Sequence, residues 1–218
     1  IVVHDLEGFT STTPGNLGKI TIGGAVTGGA GHNSGQIFAD GSLTSLTVKS
    51  GGLSGTAAAG SGSILIGQGA TAVIDDFVTT GNAGSISIVG VITKAGTPGA
   101  AVIDVGGALK SLSVSESISG AGITVGRNLA ALTVGKAGVA GTEVINTTIS
   151  ALGVPKATAP TNVAIGTVNV FGNVTDSKFL AGYDRLGVGA DGSAQVKAVI
   201  VSGDEISPGP ANGAAAEA

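Results

Sequence analysis

The sequence predicts an all-β chain folded as a parallel β-solenoid of about eight irregular coils. Three observations carry this. Glycine makes up 40 of the 218 residues, and each interior Gly costs a helix about 1 kcal/mol relative to Ala. Apolar residues alternate with small polar ones, the period-2 signal of strands. One short motif recurs along the chain: apolar, two small residues, apolar, Ser/Thr, apolar, then Gly or a small polar turn.

The copies come in order. Leu17-Gly-Lys-Ile20-Thr21-Ile22 is first and Leu43-Thr-Ser-Leu46-Thr47-Val48 is second. Leu109-Lys-Ser-Leu112-Ser113-Val114, Leu129-Ala-Ala-Leu132-Thr133-Val134 and Ile165-Gly-Thr-Val168-Asn169-Val170 follow. Shorter relatives are Ile64-Leu65-Ile66, Ile86-Ser87-Ile88, Ile123-Thr124-Val125 and Val199-Ile200-Val201. A weaker second strand follows most copies, marked by Val26, Leu53, Val91-Ile92, Ile118, Val139 and Val174. Taking positions 20, 46, 64, 86, 112, 132, 168 and 199 as coil markers gives steps of 26, 18, 22, 26, 20, 36 and 31 residues. The two long steps require insertions, and Pro155 and Pro160 bracket one of them, a loop from Val154 to Val163. One such unit buries nothing alone. Stacked units bury a continuous column of Ile, Leu and Val, with backbone hydrogen bonds running from coil to coil. Eight coils at about 4.8 Å each make a rod roughly 40 Å long. The alternative is an antiparallel β-sandwich, which asks for hairpin turns every 8–12 residues. Its Asp-Gly signals are few, Asp40-Gly41 and Asp191-Gly192.

The repeat divides the chain into three parts. Residues 1–16 form an N-terminal segment, a cap or an inter-subunit strand; residues 17–206 form the solenoid; residues 207–218 form a Pro/Gly/Ala-rich tail with almost no core potential. No polar cap closes either end, and uncovered strand edges are pairing templates. Ile1, Val2 and Val3 at one end and Pro208 and Pro210 at the other are therefore the expected assembly contacts, with copies of the same chain as partner.

Composition narrows the function. Cysteine is absent, which removes disulfide frameworks and thiolate metal sites. With 42 % hydrophobic residues and a net charge of −4, the chain is not of the disordered class. No apolar run is long enough for a membrane-spanning helix. The ten Lys and Arg are scattered, so the basic stripe that releases phosphate counterions is missing and no nucleic-acid partner is expected. A chain that begins at Ile1 and holds no Met is expected to be a processed product or a piece of something longer. The lack of Cys is compatible with an extracellular or cell-surface location.

The stretch Ile165-Gly-Thr-Val-Asn-Val-Phe-Gly-Asn-Val-Thr-Asp-Ser-Lys-Phe-Leu-Ala-Gly-Tyr-Asp184 resembles the repeats of very large bacterial surface proteins built from G-x-[LIV]-x-[VI]-x-G-x-[VIL] units. The segments around Leu43, Leu109 and Leu129 resemble the same units. The likeness spans most of residues 17–206 and stops at the tail. It implies a secreted β-helix with an adhesion, cell-envelope or matrix role, and it carries over no catalytic residue.

Candidate chemistry is sparse, and no catalytic residue, metal site or cofactor is expected. Polysaccharide-cleaving enzymes on β-helices need convergent carboxylates with a basic residue. Only Asp75-Asp76 and Asp204-Glu205 are adjacent acids here, and neighbours on a strand point to opposite faces. Asp184 to Asp191 offers a weak calcium reading, without the ligand spacing of a calcium loop. His4 and His32 are the only histidines, and neither sits beside a Gly-x-Ser-x-Gly elbow. Asn146-Thr-Thr and Asn173-Val-Thr fit the N-glycosylation pattern. The one ordered feature is a ladder of outward strand residues: Thr21, Thr47, Ser87, Ser113, Thr124, Thr133 and Asn169, with Ser45, Ser85, Ser111 and Thr167 alongside. It is the expected binding face, for polysaccharide, for packing or, less aptly, for ice, because Ser, Lys and Ala break a strict Thr pattern.

Overall fold

The computed structural model describes residues 2–3, 15–67, 81–96, 100–153, 163–182, 195–201 and 206–207. Every described strand pairing is parallel, and the strands form three seven-stranded sheets. Sheet one holds Val2–Val3, Ile37–Ala39, Ile64–Ile66, Ala100–Val105, Ala121–Val125, Thr148–Ala151 and Lys178–Ala181. Sheet two holds Leu17–Ile22, Leu43–Val48, Ala83–Ile88, Leu109–Val114, Leu129–Val134, Val163–Val170 and Gln195–Val201. Sheet three holds Val26–Thr27, Leu53–Gly55, Ile92–Lys94, Ile118–Ser119, Glu143–Ile145, Asn173–Thr175 and Ile206–Ser207. The chain visits the sheets in the order one, two, three and then repeats. This is a parallel β-solenoid, and no antiparallel pair occurs among the described strands.

The solenoid makes seven such circuits. The marker at Ile64 does not start a coil of its own. Ile64–Ile66 lies in sheet one, and residues 67–82 separate it from Ala83–Ile88 of the same circuit. In sequence, the segment inferred between Val154 and Val163 falls between Thr148–Ala151 of sheet one and Val163–Val170 of sheet two. Its end at Val163 begins a strand, and 154–162 lie outside the described residues.

Register builds the core. In sheet two, Leu17, Leu43, Ala83, Leu109, Leu129 and Ile165 stack in one column. Ile20, Leu46, Ile86, Leu112, Leu132 and Val168 make a second column, and Ile22, Val48, Ile88, Val114, Val134 and Val170 a third. Sheet one adds Ile37, Ile64, Ile103, Ile123 and Ile149. Sheet three adds Val26, Leu53, Ile92, Ile118, Val144 and Val174. Strands about 4.8 Å apart bring like side chains into direct contact, and β-branched residues suit that spacing.

The motif has a mechanical reading. Leu43 and Leu46 are both buried although three residues apart, so Thr44 and Ser45 must both leave the core. Strict alternation cannot do this, and neighbouring coils approach closely there. At Gly84 and Gly166 a Cβ would strike the carbonyls of Thr44 and Ala130, which is why glycine occupies those two places.

Corners are closed by side chains that mimic backbone. Between sheets one and two, Asn16 Oδ1 accepts from Ser42 N at 2.6 Å, Ser42 Oγ accepts from Asn82 N at 3.1 Å, and Asn82 Oδ1 accepts from Ala108 N at 2.8 Å. Asn128 Nδ2 continues the staircase onto the Val163 carbonyl. Between sheets three and one, Gly120, Asn146 and Asp176 directly follow paired strand ends and share left-handed φ values of 66°, 50° and 49°. Asn and Asp tolerate that region better than other residues with a Cβ. Behind Asn146, the buried Thr147 donates its hydroxyl to the Ile145 carbonyl at 2.9 Å.

The sequence marker Val139 is corrected by the structure. It sits in the turn between sheets two and three and is 48 % exposed, while Val144, five residues on, occupies the core column. Lys136 to Gly141 form an exposed excursion that displaces the strand along the sequence.

Leu112 is 1 % exposed, with paired strands on both sides. Leu112→Ala is expected to lower unfolding free energy by about 2–5 kcal/mol in urea denaturation, while Ser113→Ala on the outer face changes it by less than about 0.5 kcal/mol. Asn146→Val is expected to cost about 1–2 kcal/mol and Asn146→Gly almost nothing, measured in the same way.

Candidate functional site

The outward ladder on sheet two is continuous. Thr21 pairs with Thr47, Thr47 with Ser87, Ser87 with Ser113, Ser113 with Thr133 and Thr133 with Asn169. Each sits between two inward residues of its strand, so alternation fixes it on the outside. A second column lies two residues back: Lys19, Ser45, Ser85 and Ser111, then Ala131 and Thr167. The two columns are about 7 Å apart along the strands and their rungs about 4.8 Å apart. The described strands of sheet two contain no Asp or Glu; their charged residues are Lys19, Lys110 and Lys197. Hydroxyls both donate and accept, so the face can hydrogen-bond neutral polar partners.

Thr124 does not belong to this ladder. It lies in sheet one, between Asp104 and Ser150. Local alternation places it outside correctly, but the sheet it joins depends on where the coil boundary falls. Sheet three carries a ladder the sequence reading missed: Thr27, Ser54, Thr93, Ser119, Ile145 and Thr175. Its sequence signal is faint, a single Ser or Thr after the core residue in Val26-Thr27, Leu53-Ser54, Ile92-Thr93, Ile118-Ser119 and Val174-Thr175.

The expected assembly contacts divide. Val2 and Val3 pair with Phe38 and Ala39 as the first strand of sheet one, so that segment is part of the first coil. Ile1, Pro208 and Pro210 lie outside the described residues, as do His4, Asp75, Asp76, Asp184, Asp191, Asp204 and Glu205. His32 is exposed in the loop between sheets three and one. Of the two glycosylation-pattern asparagines, Asn146 is exposed on a corner and Asn173 begins a strand. Among the described residues, no three His, Cys, Asp or Glu side chains gather as a metal site would need.

The most elaborate polar structure is a pair of stacked loops at the corner between sheets three and one. Residues 28–36 of the first coil lie on 56–63 of the second. Gly28 N donates to Ser54 O at 2.8 Å, Asn33 N to Ala59 O at 2.9 Å, and Gly62 N to Ser34 O at 2.8 Å. The loops share one conformation, with left-handed residues at Asn33 and Gly35 in one and at Gly60 and Gly62 in the other. Ser61 is fully buried; its hydroxyl accepts from Thr56 N at 3.1 Å and donates to Gly29 O at 3.0 Å. In the third coil the register places Lys94 opposite Gly55. Its ammonium reaches back under the loops and donates to Ser61 O at 2.8 Å and Ala58 O at 3.3 Å. Lys94 thereby ends the loop stack. Burial lowers its pKa below the ordinary 10.5.

No family model, no curated protein and no solved structure matches this chain.

Removing the Lys94 ammonium leaves two carbonyls, one of them on a buried residue, without this donor. Lys94→Met is expected to cost about 1–3 kcal/mol and to speed proteolysis within 56–63. The pH effect has a definite sign. With the folded pKa lowered, the unfolded chain binds the proton more readily, so this group makes stability rise as pH climbs toward 10.5. Lys94→Met should remove that increment, read as the difference between the two proteins' urea midpoints across alkaline pH.

Proposed function

We propose that the chain is a structural subunit of an extracellular bacterial assembly, a filament, sheath or surface layer, built by self-association of β-solenoid rods. The observation that carries this reading is the likeness of the two described ends. The first and seventh circuits present the same three sheets in the same order, all strands parallel. Parallel strands with an uncovered edge offer a full row of backbone donors and acceptors. The first circuit also leaves core positions open: Ile20 and Ile22 are only partly buried, whereas Leu46 and Val48 below them are 1 % and 0 % exposed. The outward residues of sheets two and three are mostly Ser and Thr, with few charges, which suits lateral packing between rods.

A second reading rests on a different observation, the polar ladder of sheet two, hydroxyls from Thr21 to Thr133 and then the Asn169 amide. It makes the chain a glycan-binding adhesin module, with Thr21, Thr47, Ser87, Ser113, Thr133 and Asn169 meeting sugar hydroxyls.

Sedimentation and negative-stain microscopy decide the first. Oligomers growing with concentration are expected, and a monomer at every concentration sinks the assembly. A glycan array decides the second. Binding that disappears in Thr47→Lys and Thr133→Lys supports the adhesin, and a blank array refutes it.

A further inference from the structure

The register of the sheets specifies how one rod meets another. We infer that copies of the chain join head to tail, the seventh coil of one continuing into the first coil of the next in the register that runs through each rod. This rests on the self-assembly reading above and sharpens it to a single interface with a second copy as the partner.

The columns supply the argument. In sheet two the column of Leu17 ends at Val196, that of Ile20 at Val199, that of Thr21 at Ile200 and that of Ile22 at Val201. In sheet one the Val3 column ends at Ala181. In sheet three the Val26 column ends at Ile206 and the Thr27 column at Ser207. Each first member is therefore the next residue its column calls for after the last member. Val199 of one copy meets Ile20 of the next, Val201 meets Ile22, Ile206 meets Val26 and Ala181 meets Val3. Every apolar column meets an apolar residue, and Ile20 and Ile22 gain the cover their equivalents already have.

Direction adds a second constraint. The two edges of a parallel strand differ, because the hydrogen bonds slant one way. Head-to-tail stacking sets each sheet on its own kind with all strands still parallel. Head-to-head stacking reverses the strands and sets sheet one of one copy over sheet three of the other. It forfeits the register at two of the three sheets.

The absence of cysteine makes the register directly testable in the full 218-residue chain. Thr21→Cys combined with Ile200→Cys puts a thiol at each end of one column. Within a chain these positions are six strand spacings apart, roughly 29 Å, and a disulfide spans at most about 7 Å between Cα atoms. Any bond formed is therefore between copies. Oxidation is expected to give a ladder of covalent oligomers on a non-reducing gel. The yield should be at least about tenfold above that of Lys19→Cys with Ile200→Cys, which is offset by two residues and hence by about 7–8 Å. Thr21→Cys alone reports head-to-head contact and should stay monomeric on the gel. Thr27→Cys with Ser207→Cys repeats the test on sheet three, and decides it if the first pair loses its β circular dichroism. Equal yields from matched and offset pairs, or dimers from Thr21→Cys alone, overturn the register. Oligomers in sedimentation without cross-links overturn the head-to-tail join but leave self-assembly standing. Monomers throughout overturn both.

Discussion

Everything in this molecule depends on one constraint: residues at equivalent positions of successive coils must sit directly above one another, about 4.8 Å apart. In-register parallel pairing enforces it for the backbone, and the side chains obey because their direction follows the strand. A column of Ile or Leu then packs on itself without interdigitation from a second layer. That explains a core of Ile, Leu, Val and Ala with almost no aromatics. A ring in one coil would need room in the coils above and below. Phe179, at the base of the Ile149 column, is the one ring packed against the core among the described residues, and it lies in the last strand of sheet one.

The same constraint governs the corners. A turn must fit beneath its neighbour as well as close its own coil. The Asn16–Ser42–Asn82–Ala108 staircase does both, since each side chain supplies a bond to the coil beside it. The left-handed trio of Gly120, Asn146 and Asp176 keeps one corner shape through three coils despite three different residues. Where a corner changes shape, a special device appears. After the paired loops 28–36 and 56–63, the chain between Lys94 and Ala100 is only five residues long, and Lys94 bonds the Ser61 carbonyl, the counterpart of the Ser34 carbonyl that Gly62 N bonds one coil earlier.

Much of the fold was legible because the motif is short and recurs with the same pattern of buried and outward positions. The strands of sheet two, their inward Leu and Val and their outward Thr and Ser follow from residues a few positions apart. The coil count did not follow so easily. Ile64-Leu65-Ile66 has the same local pattern as a true sheet-two strand, and a three-residue strand carries nothing that tells which sheet it joins. Thr124 failed for the same reason. Val139 and Val144 both follow glycine-rich turns, and only the stacking beneath Ile118 chooses between them. Lys94 was invisible because its partner Ser61 lies 33 residues earlier. A signal did exist: Asn33-Ser34-Gly35 and Gly60-Ser61-Gly62 repeat at a spacing of 27 residues, and the repeat breaks in the third coil. The outward ladder was legible as a geometric object, while its ligand was not, because hydroxyls on a flat sheet are chemically unspecific.

The direction of the inter-coil hydrogen bonds gives the rod a mechanical character. They lie along its long axis, so a stretching force loads every coil junction in series and the weakest gives way first. Sheet three narrows to two residues at Val26–Thr27, Ile118–Ser119 and Ile206–Ser207, and at those junctions only two residues pair on each side. Lys94 braces the opposite case. Its tether from the third coil to the second crosses a junction outside the sheets, and it resists the sideways slip that aligned columns of smooth aliphatic side chains do little to prevent.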